Sequence, residues 1–244
     1  MPGQYDPHRR RMMFSLLAGV GGIAAAKVLP AKADTAPNVL ATNLVIATPT
    51  SWNGKQSLAV ELTDAYQAKL PAAGFGPNAN GLSFVTVVPE FTDGMIQVDV
   101  AAELTGRGSP DSRGFIGVAF HIDHDRTFEA VYLRMTNGSL NDPPPAAPRI
   151  DRAVQYVAHP DFHFDASREV APGRYERGAK VALGRWHTLR LDIAGHTCRT
   201  FVDGEETLVV DDLHYAGQRG PVGLWIGNGT LGHFSNLRVI GRED

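Results

Sequence analysis

The chain has 244 residues, of which 43% are apolar and 20% charged, and a formal net charge of -3. This length suits one large all-β domain. The apolar share excludes a wholly disordered chain, and 26 Gly with 16 Pro argue against a helix bundle. The balance of charge gives no basic stripe and therefore no case for nucleic acid as a partner. A single cysteine, Cys198, excludes an intramolecular disulfide framework and a cysteine-rich metal cluster.

Residues 1–33 read as an export signal. Arg9, Arg10 and Arg11 precede an apolar stretch from Met12 to Ala26, and Ala31-Lys32-Ala33 fits a small-x-small cleavage pattern. That core is shorter than the ~20 residues a spanning helix needs. Consecutive arginines before Met12 fit the twin-arginine variety of bacterial signal. The expectation is a periplasmic or secreted protein with no stable membrane insertion after cleavage. The leader holds five basic residues and one acidic one. The remainder keeps 18 and 25, a net charge of -7, which disfavours anionic membranes and nucleic acids.

Residues 34–56 read as an N-terminal extension running into the first strand, and 57–244 as the folded domain. Strand-like segments recur between turn residues. The first group is Ser57–Thr63, Leu82–Val88, Met95–Leu104, Phe115–Ile122, Thr127–Met135 and Ala153–Val157. The second is Trp186–Ile193, Thr197–Val202, Thr207–Val210, Val222–Ile226 and Phe234–Ile240. Leu189, Leu191 and Ile193 alternate with Thr188, Arg190 and Asp192, the period of a half-buried strand. Asp203-Gly204 between two such runs predicts a hairpin turn. Asp64–Leu70 is the one stretch with a helical turn. About eleven strands in one domain predict an all-β, two-sheet antiparallel jelly-roll sandwich. Trp186, Leu189, Leu191, Val202, Leu224 and Leu237 are expected in its core.

The long connection Thr136–Lys180 opens with Asn137-Gly138 and a proline-rich run. It then turns aromatic and ionisable, as functional connections do. Period-2 alternation places Glu129 with Val131 and Leu133, and Tyr132 with Arg134 and Phe128. Tyrosine can stack on a sugar ring or act as an acid, and arginine offers a fork of donors. His121, Asp123, His124 and Asp125 form a dense cluster, of which Asp123–Arg126 falls where a hairpin turn is expected. Loop oxygens there leave a divalent ion, calcium or manganese, as a candidate cofactor, although no zinc spacing is present. Gln155, Tyr156, His159 and Asp161 lie in or beside a polar loop. An imidazole there can move protons near neutral pH, with Asp161 to orient it.

The C-terminal half carries Gly184-Arg185-Trp186, then Phe201-Val202-Asp203-Gly204, Gly220-Pro221-Val222-Gly223-Leu224-Trp225 and Phe234-Ser235-Asn236-Leu237. This order resembles the concanavalin A-like, laminin G-like jelly roll, closest to the 3-keto-disaccharide hydrolase domain family. Phe128–Arg134, Gln155-Tyr156, His159-Pro160-Asp161 and Pro172–Glu176 add to the likeness, which covers about residues 80–240. The glutamate-x-aspartate-x-x-glutamate motif of laminarinase-type glycosidases is absent. The resemblance implies an exported carbohydrate-active enzyme, a hydrolase or lyase, acting on a small-molecule or oligosaccharide substrate. A ketone at C3 acidifies the C2 hydrogen of a 3-keto glycoside. A base, an acid and an enolate stabiliser then suffice for elimination.

On that reading His159 is the base, Tyr132 or Tyr175 the acid, and Arg134 or a metal the stabiliser. Gln155, Tyr156, Asp161 and Asn137 hold the substrate. The alternatives are a non-catalytic lectin-like module, or an enzyme of the same fold acting on a non-sugar metabolite. The constellation requires Gln155, Tyr156, His159 and Tyr175 to converge with Tyr132 and Arg134 in one pocket.

Overall fold

The computed structural model describes residues 34–70, 81–123 and 127–242. The expected leader, together with His124 and Asp125, lies outside the described residues. In chain order the strands are β1 (Ala41–Asn43), β2 (Val45–Trp52), β3 (Lys55–Leu62), β4 (Phe84–Phe91) and β5 (Gly94–Leu104). Next come β6 (Phe115–Phe120), β7 (Phe128–Arg134), β8 (Val154–His159), β9 (Glu176–Arg177) and β10 (His187–Ala194). The last are β11 (Thr197–Val202), β12 (Glu205–Val210), β13 (Gly220–Ile226) and β14 (Thr230–Gly241). Among the described residues two short α-helices, α1 (Asp64–Gln67) and α2 (Phe164–Val170), and a single 3-10 turn at Met135–Asn137 interrupt them.

The strands form two seven-stranded sheets, ordered β1-β4-β13-β6-β7-β8-β9 and β12-β11-β10-β5-β14-β3-β2. Every pairing is antiparallel. The protein is thus an all-β jelly-roll sandwich in one domain. Its main core lies between the sheets, where Ile116, Val118, Val131 and Leu133 of the first meet Val98, Val100, Leu189 and Leu191 of the second. Period-2 alternation sends the intervening residues of the first sheet outward. There Phe84, Phe115, Phe128, Tyr132, Val157 and Trp225 belong to a second buried cluster.

Asp203 and Gly204 both take positive φ, 51° and 83°, and make the two-residue turn between β11 and β12. This is the primed geometry that right-twisted strands require. The expected helical turn is α1, with the Thr63 hydroxyl accepting from the Tyr66 amide. The extension at 34–56 is corrected: β1 and β2 belong to the sandwich, one on the edge of each sheet. The chain crosses between them at Leu44, whose φ is 59°. Two further elements, β9 and α2, arise inside the long connection. Trp186 and Leu237 are half-buried rather than core. Trp186 sits just ahead of β10, edge-on to Trp52 at 5.3 Å and beneath Lys55. Leu237 falls in a β14 bulge between Ser235 and Arg238.

Gly117 of β6 lies opposite Tyr132 of β7. A Cβ on it would come 2.2 Å from the Val131 carbonyl oxygen and 2.5 Å from the Tyr132 Cα, so β6 and β7 can pair this closely only with glycine there. Gly117→Val is expected to lower stability by ~1–3 kcal/mol, the usual range for overpacking. A denaturant melt checks this, and an unchanged midpoint would contradict the packing argument.

Candidate functional site

Strand β7 is buried over its whole length, so each polar side chain on it must find a partner inside the protein. Glu129 faces the inter-sheet core. Its carboxylate accepts from the Tyr156 hydroxyl at 2.5 Å and the His214 amide at 2.8 Å, and it meets His121 Nδ1 at 2.6 Å. The other His121 nitrogen lies 2.9 Å from the Thr92 carbonyl oxygen. A carbonyl only accepts, so that nitrogen carries its hydrogen. Burial and the neighbouring Glu129 push the Tyr156 hydroxyl far above its ordinary range. Glu129, His121 and Tyr156 are fully buried.

On the outer face Tyr132 and Arg134 stand two residues apart. Arg134 Nη2 donates to the Tyr132 hydroxyl at 3.3 Å and to Gln155 Oε1 at 3.0 Å. Arg134 Nη1 reaches the Arg152 carbonyl at 3.2 Å and Glu176 Oε2 at 3.4 Å. Glu176 is itself buried. It receives Arg168 through two bonds, at 2.9 and 2.7 Å, and Arg152 at 3.1 Å. Burial alone would raise its carboxyl. The Arg168 hydrogen bond and the charges of Arg168, Arg134 and Arg152 outweigh that and hold it below the ordinary range. Burial raises the Tyr132 hydroxyl, opposed in part by Arg134 and Arg168.

These groups border a cavity of about 130 Å³ lined by Arg113, Phe115, Tyr132, Arg134, Asn137, Arg149, Arg152, Phe164 and Arg168. Asn137 closes one side, donating to the Arg152 carbonyl at 3.0 Å and accepting from Arg149 Nε at 3.2 Å. Phe164, at the start of α2, brings the long connection over the outer face, with the Arg134 guanidinium 5.9 Å from its ring.

The structure therefore brings Tyr132, Arg134, Gln155 and Asn137 together, and it separates the rest of the expected constellation. His159 shares their face but pairs with Phe128 at the other end of β7. Six residues of strand put it on the order of 20 Å from Arg134. There it stacks on Phe128 at 4.9 Å and meets His163 at 3.1 Å, with exposed Asp161 in the turn that follows. Tyr156 follows Gln155 in β8 and so points to the opposite face. Tyr175 joins Tyr156 there, 5.8 Å away, with its hydroxyl on Asp212 at 2.7 Å. Burial and Asp212 push the Tyr175 hydroxyl up to about 12.

Asp123 bonds across to Thr127, its amide donating to the Thr127 carbonyl at 2.9 Å, as a hairpin turn does. No group of three or more metal-ligating side chains occurs among the described residues. Sequence reasoning missed Arg113, Arg149 and Arg152 altogether and left Arg168 and Glu176 without a role. Arg113 comes from the loop before β6, Arg149 and Arg152 from the loop before β8, and Arg168 from α2. The one local signal was Arg149-x-x-Arg152 directly after the proline run.

No protein-family model matches the chain, and no curated protein is close enough in sequence to match. Among solved structures it is similar to the carbohydrate-binding module CBM66 from Bacillus subtilis, with a TM-score of 0.48 and 12% identity over 80% of this chain and 94% of that one. It is also similar to a β-glucanase from Bacillus licheniformis, with a TM-score of 0.42 and 12% identity over 84% and 95%. A third is galectin LEC-6 from Caenorhabditis elegans, with a TM-score of 0.37 and 10% identity over 64% and 89%.

Burial, and next to it the charge of His163, lowers the His159 imidazole to about 4. The folded protein then binds fewer protons here than the unfolded chain between about pH 4 and the ordinary histidine value of ~6.5. His159 thus favours folding above that window, and its contribution falls away as pH drops through it. An NMR titration is expected to find the ring neutral at pH 5.5; a midpoint near 6.5 would contradict its burial. Glu176→Gln leaves Arg134, Arg152 and Arg168 without their shared carboxylate. It is expected to destabilise by ~3–5 kcal/mol, as breaking a buried charge pair does, measurable by chemical denaturation.

Proposed function

We propose that the protein is an exported carbohydrate-active protein that holds a saccharide at the Tyr132–Arg134 end of the outer face. The observation that carries this is the Arg134 guanidinium, held on Tyr132 and Gln155 at the floor of a cavity with aromatic walls. A sugar needs oriented donors and acceptors for its hydroxyls and an apolar surface for its ring. Tyr132, Asn137 and the arginines supply the first, and Phe115 and Phe164 the second.

A second reading, elimination on a 3-keto glycoside, has one specific support. Tyr132 shares a hydrogen bond with Arg134, whose charge offsets part of the burial effect on the phenol. In that chemistry a base takes the C2 proton, Arg134 stabilises the enolate, and the C1–O bond breaks as the leaving oxygen is protonated. Water then adds to the enone if hydrolysis is the outcome. Tyr132 is the proton carrier within reach of such a substrate. His159 is not, because a general base must lie within hydrogen-bond distance of its proton.

Tyr132→Phe keeps the ring and removes only the hydroxyl. Saccharide affinity, read by calorimetry against a glycan panel, is expected to fall several-fold, in line with the ~0.5–1.5 kcal/mol of one hydrogen bond. Incubation with a 3-keto glucoside and mass spectrometry separates the two readings. Product from the native protein and none from Tyr132→Phe supports elimination; binding with no product supports a binding module. No binding to any glycan and no product would overturn both.

A further inference from the structure

The charge around the cavity is out of balance. Five arginines line it, while the carboxylates in ion-pair contact with them, among the described residues, are Glu176 and Asp111. Three positive charges are left in surplus. Glu176 engages Arg134, Arg152 and Arg168 from the β9 side. Arg113 meets Asp111 at 3.2 Å and otherwise donates to the Pro110 and Ser112 carbonyls. Arg149 donates to neutral groups only, Asn137 Oδ1 and the Thr136 carbonyl and hydroxyl. Desolvation, and then the like charge of Arg113, lower the Arg149 guanidinium below its ordinary range.

Like charges gathered in a partly desolvated place repel, and the cost grows as water is excluded. The side chains of Arg113, Arg168 and Arg152 are only 22%, 28% and 34% exposed, while Arg149 stands exposed at the mouth of the group. Bulk solvent therefore screens the first three less than fully exposed surface charges. Concentrating unbalanced charge in a cleft is characteristic of ligand sites. Guanidinium forks also match the two oxygens of a carboxylate or sulfate group. The cavity, about 130 Å³, is below the ~300–1,000 Å³ of pockets that enclose a whole ligand. It has room for one charged group, with the rest of the ligand outside.

We propose that the cavity seats an oxyanion group, a uronate carboxylate or a sulfate ester, borne by an acidic saccharide, with Arg113 and Arg149 as the residues that select for the charge. This rests on the saccharide-binding reading above and names its ligand class. Phe164, half-buried at the cavity's edge, meets the ring that carries the group, and Arg134 stays engaged with Glu176 and Gln155.

The test is calorimetry on the full chain with three families of oligosaccharide: uronate-containing, sulfated, and neutral counterparts of the same linkage. Inorganic sulfate forms a further arm. One acidic family is expected to bind at least tenfold more tightly than its neutral counterpart, and less tightly as salt rises. Which family wins identifies the oxyanion. Arg149→Gln and Arg113→Gln are each expected to erase most of that preference while the thermal midpoint stays near that of the native protein. Both positions are tested so that one misfolded variant does not decide the matter.

Equal affinity for acidic and neutral members would overturn the ligand class and leave the saccharide site standing. Sulfate binding lost in Arg149→Gln, with no saccharide of any family bound, would overturn the saccharide reading and leave the oxyanion seat. A charge preference that survives both substitutions would place the selecting residues elsewhere.

Discussion

Strand β7 is buried on both faces from Phe128 to Arg134, and much of the protein's polar chemistry follows from that constraint. A buried strand with three polar side chains must satisfy each of them without bulk water. Glu129 is satisfied from the core side by Tyr156, His121 and the His214 amide, which ties β6, β8 and the loop before β13 to one carboxylate. Tyr132 and Arg134 are satisfied from the outer side by Gln155 and Glu176, which ties β8 and β9 to one guanidinium. The two networks lie back to back across a single strand. One is buried in the core; the other opens on a cavity.

This arrangement also explains how the arginines come together. Glu176 lies on a two-residue strand at the sheet edge and is itself buried. One carboxylate there is enough to gather Arg134 from β7, Arg152 from the loop before β8 and Arg168 from α2. The long connection between β7 and β10 wraps the β8–β9 edge. It contributes Phe162, Tyr175 and Val181 to the main core, and Phe164 and Arg168 to the outer cavity. A connection anchored on both sides of a sheet can hold side chains as firmly as a strand does.

Most of the fold was legible because its signals are local. Alternation in Leu189–Ile193, the Asp203-Gly204 turn and the β7 parity each depend on a few neighbouring residues. The missed strands lacked such signals: β9 has only two residues, and β2, mostly exposed and broken by Pro49, shows no alternation of apolar and polar positions. The pairing of Tyr132 with Arg134 could be read from parity, and Gln155 from its place in the next strand. Two failures have the same root. Grouping Gln155 with Tyr156 and His159 treated neighbours in sequence as neighbours in space. Inside a strand, adjacent residues face opposite ways, and residues four apart are ~13 Å distant. Arg152 and Arg168 were illegible for the converse reason, since the carboxylate they share, Glu176, is brought to them by tertiary structure.

The position of β14 bears on how the chain reaches this state. It sits inside the second sheet, between β5 and β3, yet it follows both in sequence by more than a hundred residues. Until it is made, β5 and β3 have no shared neighbour, and the two halves of that sheet remain separate ribbons with open edges. Such non-local closure is slow and leaves strand edges exposed meanwhile. A ribosome-bound chain lacking residues 230–241 cannot assemble the second sheet, so the sandwich closes only after its last strand has emerged.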